Sequence, residues 1–168
     1  MPADADNDER DPAGQDPDRV QRLFARPFFL SATIGIPFCI FKILFGITAL
    51  REGFAQHGWL EVAGLLVLSW AIADLFLNTG RSLLDLLNRP APFEFCTIAQ
   101  LGRLVGAPLI FLAVDTFITF AIICTMLWTG WITLLGPVEA AFWYAATTLN
   151  LISLSAVSLY NEIRRSRA

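Results

Sequence analysis

The chain has 168 residues, 55% of them hydrophobic and 16% charged, and a net charge of −3; a soluble domain averages about 45–50% apolar and about 25% charged. One small core cannot bury that much apolar surface, and the apolar residues form long runs, without the alternating segments of about ten residues that mark a strand barrel. A water-soluble globule and a membrane β-barrel are excluded; what remains is an all-α integral membrane protein, a four-helix bundle.

The net charge conceals an uneven distribution. Residues 1–18 hold seven acids against Arg10, with three prolines and no large apolar residue after Met1. Such a segment cannot bury enough surface to order itself, so residues 1–22 are expected to form a disordered acidic tail. With no basic stretch leading directly into an apolar one, it is not a signal peptide. Arginine outnumbers lysine eleven to one, which fits a GC-rich bacterial gene.

The membrane domain is expected over 23–163. Its first span, 28–50, contains thirteen Phe, Ile or Leu residues and one lysine. Those thirteen favour insertion by about 0.3–0.6 kcal/mol each, outweighing about 2.5–3.5 kcal/mol for a central lysine. Pro37 predicts a kink near Thr33–Pro37, which a membrane helix tolerates. The second span, 59–79, opens on Trp59 and closes at Gly80–Arg81.

A third apolar run, 104–135, is too long for one span of about 20 residues and too short for two. Trp128 and Trp131 place its far interface, giving a span of 108–127, with 128–135 in the headgroup region or extending a tilted helix. Gly136–Pro137 breaks the chain. The fourth span is 138–160, with Trp143 and Tyr144 near its start, followed by a basic tail at 164–168.

Orientation follows from the short basic flanks. Arg19, Arg22, Arg26, Arg81, Arg89, Arg103, Arg164, Arg165 and Arg167 fall on one side of the four spans, and Arg51 alone on the other. Both termini and the 81–103 loop are therefore expected in the cytoplasm, and the protein in a bacterial inner membrane. The loop carries Leu83, Leu84, Leu86 and Leu87, a Pro-Ala-Pro break, then Phe93, Phe95, Ile98 and Leu101. Two short amphipathic helices on the membrane surface would bury these and leave Arg81, Asp85, Arg89 and Glu94 in water.

Three ionisable residues lie at membrane depth: Lys42, Asp74 and Asp115. Each is expensive there and needs a partner. At about 1.5 Å per residue, Lys42 is about 12 Å from the outer face, and both aspartates are about 8–10 Å from the inner one. Side chains lean toward the N-terminus of their own helix, so Lys42 and Asp74 lean toward each other and are expected to pair. Asp115 leans toward the cytoplasmic rim, within reach of Arg81 or Arg103, where it would be partly solvated.

Polar companions share these faces. Trp70, Asp74, Asn78 and Arg81 form one stripe on the second span; Thr119 lies one turn beyond Asp115; Thr147, Asn150 and Ser153 line one side of the fourth. Small residues (Ala140, Ala141, Ala145, Ala146, the Gly102–Gly106 pair, Ser31 with Gly35) would let helices approach closely.

Catalytic chemistry finds no foothold. His57 is the sole histidine and falls in the short outer loop, which removes a bis-histidine haem from the bundle. Cys39, Cys96 and Cys124 are far apart with no CxxC spacing, so no disulfide or metal site is expected; Cys39 and Cys124 fall inside apolar runs and read as small hydrophobes. HExxH, GxxxxGK[ST] and a Ser-His-Asp set are absent, and the flanks of Asp74 and Asp115 do not support an aspartyl dyad. No catalytic residue, metal or cofactor is expected, and nothing points to nucleic acid.

The favoured expectation is an accessory, assembly or scaffold component of a membrane complex. Its partners would be the lipid bilayer and another protein or a second copy, met through the small-residue faces and the 81–103 loop. The rival is a proton- or ion-coupled small transporter or channel subunit using Lys42, Asp74 and Asp115.

Overall fold

The computed structural model describes residues 27–56 and 58–166. The acidic tail at 1–22, His57 and the last two residues of the basic tail lie outside the described residues. Helix α1, Pro27–Leu30, passes through a π turn, Ser31–Gly35, into α2, Ile36–Gln56; α3 is Gly58–Leu86, α4 Thr97–Leu104, α5 Pro108–Trp128 and α6 Pro137–Ser166, with a 3-10 turn at Trp131–Leu134. No strand occurs among the described residues. Four stretches, Phe28–Phe54, Gly58–Leu86, Pro108–Trp128 and Pro137–Tyr160, are long and apolar enough to cross a membrane.

Local chemistry explains the breaks. Pro37 has no N–H, and its ring crowds the carbonyl four residues earlier. The chain answers with the π turn, in which the Ile36 N–H bonds to the Ser31 carbonyl five residues back, where a kink was expected. Asn88, Gly106 and Gly130 take left-handed φ values of 53°, 72° and 74°, each just beyond a helix end, where that conformation turns the chain away. At the start of α6, Pro137 supplies a preset φ, and the Glu139 carboxylate accepts the Gly136 N–H at 2.8 Å.

Helix α2 is the hub. It packs along α3 and also against α5 and α6, whereas α5 and α6 pack on α2 and only sparsely on each other. Glycine permits the α2–α3 contact. A Cβ on Gly46 would lie 3.1 Å from the Gly64 carbonyl, and one on Gly53 would lie 2.4 Å from the Glu61 nitrogen. On the other side of α2, Phe38, Phe41 and Leu44 pack with Met126, Trp143 and Ala146, and the Phe41 and Trp143 rings meet edge to face at 4.9 Å.

Several expectations shift. Leu83, Leu84 and Leu86 continue α3, so the 81–103 connection holds one short helix, α4, instead of two. Trp131 turns inward to stack on Phe45 at 5.6 Å, and Trp143 is core, 4% exposed; neither acts as a simple interfacial anchor. Of the Gly102–Gly106 pair, only Gly102 serves a helix contact, that of α4 with α5. Gly102 makes room for the Phe111 ring, which a Cβ would meet at 2.6–2.9 Å, and Gly106 ends α4.

Candidate functional site

The buried face of α3 carries Ala71, Asp74, Asn78 and Ser82, three or four residues apart and so on one stripe. That of α5 carries Asp115, Thr119, Ile122 and Met126. Both stripes face α2 at Lys42. The lysine nitrogen donates to Asp74 Oδ2 at 2.8 Å and to Asp115 Oδ1 at 2.6 Å, with side-chain exposures of 1%, 1% and 6% for Lys42, Asp74 and Asp115. The Trp70 ring, one turn before Asp74, covers the ammonium at 4.0 Å, a contact worth about 2 kcal/mol when desolvated. One cation thus ties three spanning helices together.

The second oxygen of Asp74 reaches a fourth segment. Asp74 Oδ1 accepts the Thr97 N–H at 2.7 Å and also the Thr97 hydroxyl. Thr97 opens α4, whose first free N–H groups favour an anion. Cys96, the residue before it, accepts the Ala99 N–H through its sulfur. Burial first, and then the nearby Asp115 carboxylate, push the Cys96 thiol up to about 12.

The surface connection is therefore pinned to the ion cluster. Nothing in its own sequence announced this; a threonine just after a Pro-rich break is a weak helix-start signal. Lys42 and Asp74 pair as expected. Asp115 does not meet Arg81 or Arg103 and is not solvated at the rim. Lysine is long enough to take both carboxylates, and the two arginines are occupied by the connection itself. Arg81 donates to the Phe93 carbonyl at 2.6 Å and lies over the Phe95 ring at 3.9 Å, while Arg103 donates to the Pro92 carbonyl at 2.6 Å.

Beside the triad is a cavity of about 500 Å³. Its wall is largely apolar: Ile34, Phe38 and Phe41 from the first span, Phe95 from the connection, Leu112, Phe120 and Ile123 from α5, and Leu151 and Leu154 from α6. Lys42, Asp74 and Asp115 lie on it together, and so do Cys39 and Cys96. Phe120, Leu151 and Leu154 are exposed at 51%, 60% and 63%, so the cavity reaches the outer surface of the bundle where α5 and α6 stand apart.

The polar companions divide. Asn78, Thr147 and Asn150 line the cavity. Thr119 is buried, and its hydroxyl bonds to the Asp115 carbonyl on its own helix; the Thr147 hydroxyl likewise bonds to Trp143. The Asn78 amide donates to the Asp74 carbonyl at 3.0 Å and lies against Gly35, where a Cβ would be 2.1 Å from its oxygen.

With all three groups ionised, the triad holds two negative charges and one positive, a net charge of −1. Among the described residues no group of three or more metal-ligating side chains comes together. Each of the two aspartates binds the ammonium between them. Compared with known protein families, with curated proteins and with solved structures, the chain matches none.

Proposed function

We propose that the protein is a small proton-coupled carrier of the bacterial inner membrane, multi-pass with both termini and α4 in the cytoplasm. Its solute site is the cavity between α2, α5 and α6. The observation that carries this reading is the juxtaposition of a net negative ion cluster and a cavity on the lipid-facing surface. A purely structural clamp needs neither the excess charge nor the space. An uncompensated buried charge costs several kcal/mol, so the triad recruits a proton, and that proton is what couples to solute movement. Asp115 has the most exposed side chain of the three, 6% against 1%, and lines the cavity; it is the group that takes the proton.

A proton-flux assay tests the reading. Liposomes containing the purified protein and an internal pH dye, with a small organic cation supplied on one side as counter-solute, should equilibrate an imposed proton gradient faster than empty ones given the same cation. Asp115→Asn should return the rate to that of empty liposomes. Equal rates with and without the wild-type protein would overturn the proposal. Orientation has its own test: a phosphatase fusion at Gly136 is expected to be active and one at Ala168 inactive.

One observation favours the scaffold reading as a second possibility. Leu101, Leu104 and Val105 on and just beyond α4, with Leu86 and Leu87 at the end of α3, are all more than half exposed. These exposed apolar side chains at the two ends of the connection are suited to a partner or to the membrane surface.

A further inference from the structure

Resting on the carrier reading, we infer that the solute is a small lipophilic organic monocation that reaches the cavity from the bilayer between α5 and α6. Three features select that chemistry. The first is size: about 500 Å³ falls within the range of about 300–1,000 Å³ that holds a drug-sized ligand.

The second is charge. The Lys42 side chain lies on the cavity wall, but its ammonium is already engaged by Asp74 and Asp115 with the Trp70 ring over it, so it is not available to receive an anion. Asp74 is held by Lys42 and Thr97. The charge presented to a ligand is the carboxylate of Asp115. A bound monocation brings the local sum to zero, which is what an apolar surround demands. The third is the wall. Phe38, Phe41, Phe95 and Phe120 all line the cavity, and aromatic faces attract a diffuse organic cation while offering little to a hydrated metal ion. Phe120, Leu151 and Leu154 form a rim continuous with the lipid-facing surface, so the solute need not cross water to arrive.

Proton and solute then compete for one negative charge, and occupancy by one releases the other. The step is a proton transfer alone: the carboxyl O–H bond of Asp115 breaks, the proton passes to bulk water as hydronium, and the cation enters beside the carboxylate left behind.

Two ions of the same shape and opposite charge, tetraphenylphosphonium and tetraphenylborate, make the test. Equilibrium dialysis against the full-length protein in neutral nanodiscs, with protein-free nanodiscs as blank, is expected to show saturable phosphonium binding and none of borate. Asp115→Asn should weaken the phosphonium at least tenfold. Leu151→Trp, at an exposed rim position where folding tolerates a larger side chain, should also weaken it several-fold. Saturable binding of borate but not phosphonium would overturn the cation assignment while leaving a solute site in place. Phosphonium binding unchanged by both variants would place the ligand elsewhere and overturn the inference. Absence of binding by either ion would overturn the inference and remove support from the carrier reading. Competition by phosphatidylethanolamine added to the nanodiscs would assign the site to an aminolipid and overturn the small-cation identity.

Discussion

Two of the ionic contacts that join helix α2 to its neighbours differ in kind. At one end, Arg51 grips Glu139 of α6 through two bonds of 2.9 and 2.6 Å, with the arginine side chain 54% exposed. In the middle, Lys42 meets two carboxylates in near-complete burial. The exposed pair is well formed and worth at most about 1 kcal/mol, because solvent already stabilises both ends. The buried cluster has no such fallback. Its members depend on one another, and removing Lys42 strands two buried carboxylates. Geometry alone would rank the two contacts as equals; their surroundings separate them.

The sharpest way to break that contrast is Lys42→Met. It leaves two carboxylates unpaired beside an apolar cavity and should cost about 3–5 kcal/mol, read as a collapse of folded yield or melting temperature in detergent. Adding Asp74→Asn and Asp115→Asn to it should restore much of the stability while leaving no proton flux, which separates folding from function. If Lys42→Met alone melted like the wild type, the buried cluster would be no different from the exposed pair.

Asp74→Asn comes next, since Asp74 alone holds both Lys42 and the start of α4. Cys96 reports on it. With its thiol raised to about 12, Cys96 stays protonated and inert to maleimide from pH 7 to 9, and thiolate appears only as pH climbs toward that value. Releasing Thr97 by Asp74→Asn should speed Cys96 labelling at least tenfold at pH 8, measured by mass shift in a variant whose other cysteines are changed to alanine.

Gly46→Val tests the close helix approach. Its side chain meets Leu68 Cβ at 2.9 Å and the Gly64 carbonyl at 3.1 Å, so overpacking should cost about 1–3 kcal/mol. Glu139→Gln should be the mildest, below about 1 kcal/mol, and a loss as large as that of Lys42→Met would remove the distinction between the two contacts.

The sequence made much of the fold legible. Long apolar runs punctuated by Gly80–Arg81 and Gly136–Pro137 located four spans, because lipid demands uninterrupted apolar helices. Lys42 and Asp74 were brought together by side-chain lean and stem length alone. Asp115 was misplaced because depth along one helix says nothing about which neighbour it faces. That depends on α2 being central, a property of packing that no periodicity carries. For a related reason neither Thr97 nor the place of Cys96 beside the cluster is legible: their segment reads as surface, and only the three-dimensional path returns it to Asp74. The cavity is a gap between α5 and α6, invisible in either helix by itself. The Gly102–Gly106 spacing suggested a helix contact, and half of it holds: Gly102 accommodates Phe111 of α5, while Gly106 turns the chain.

The central claim is that one excess negative charge at the triad is shared between a proton and a bound cation. Proton release answers it directly: tetraphenylphosphonium is added to the protein in weakly buffered detergent, and protons are counted with a pH indicator. The account predicts release approaching one proton per cation bound in the wild type and none in Asp115→Asn. Cation binding with no proton released by the wild type would contradict it.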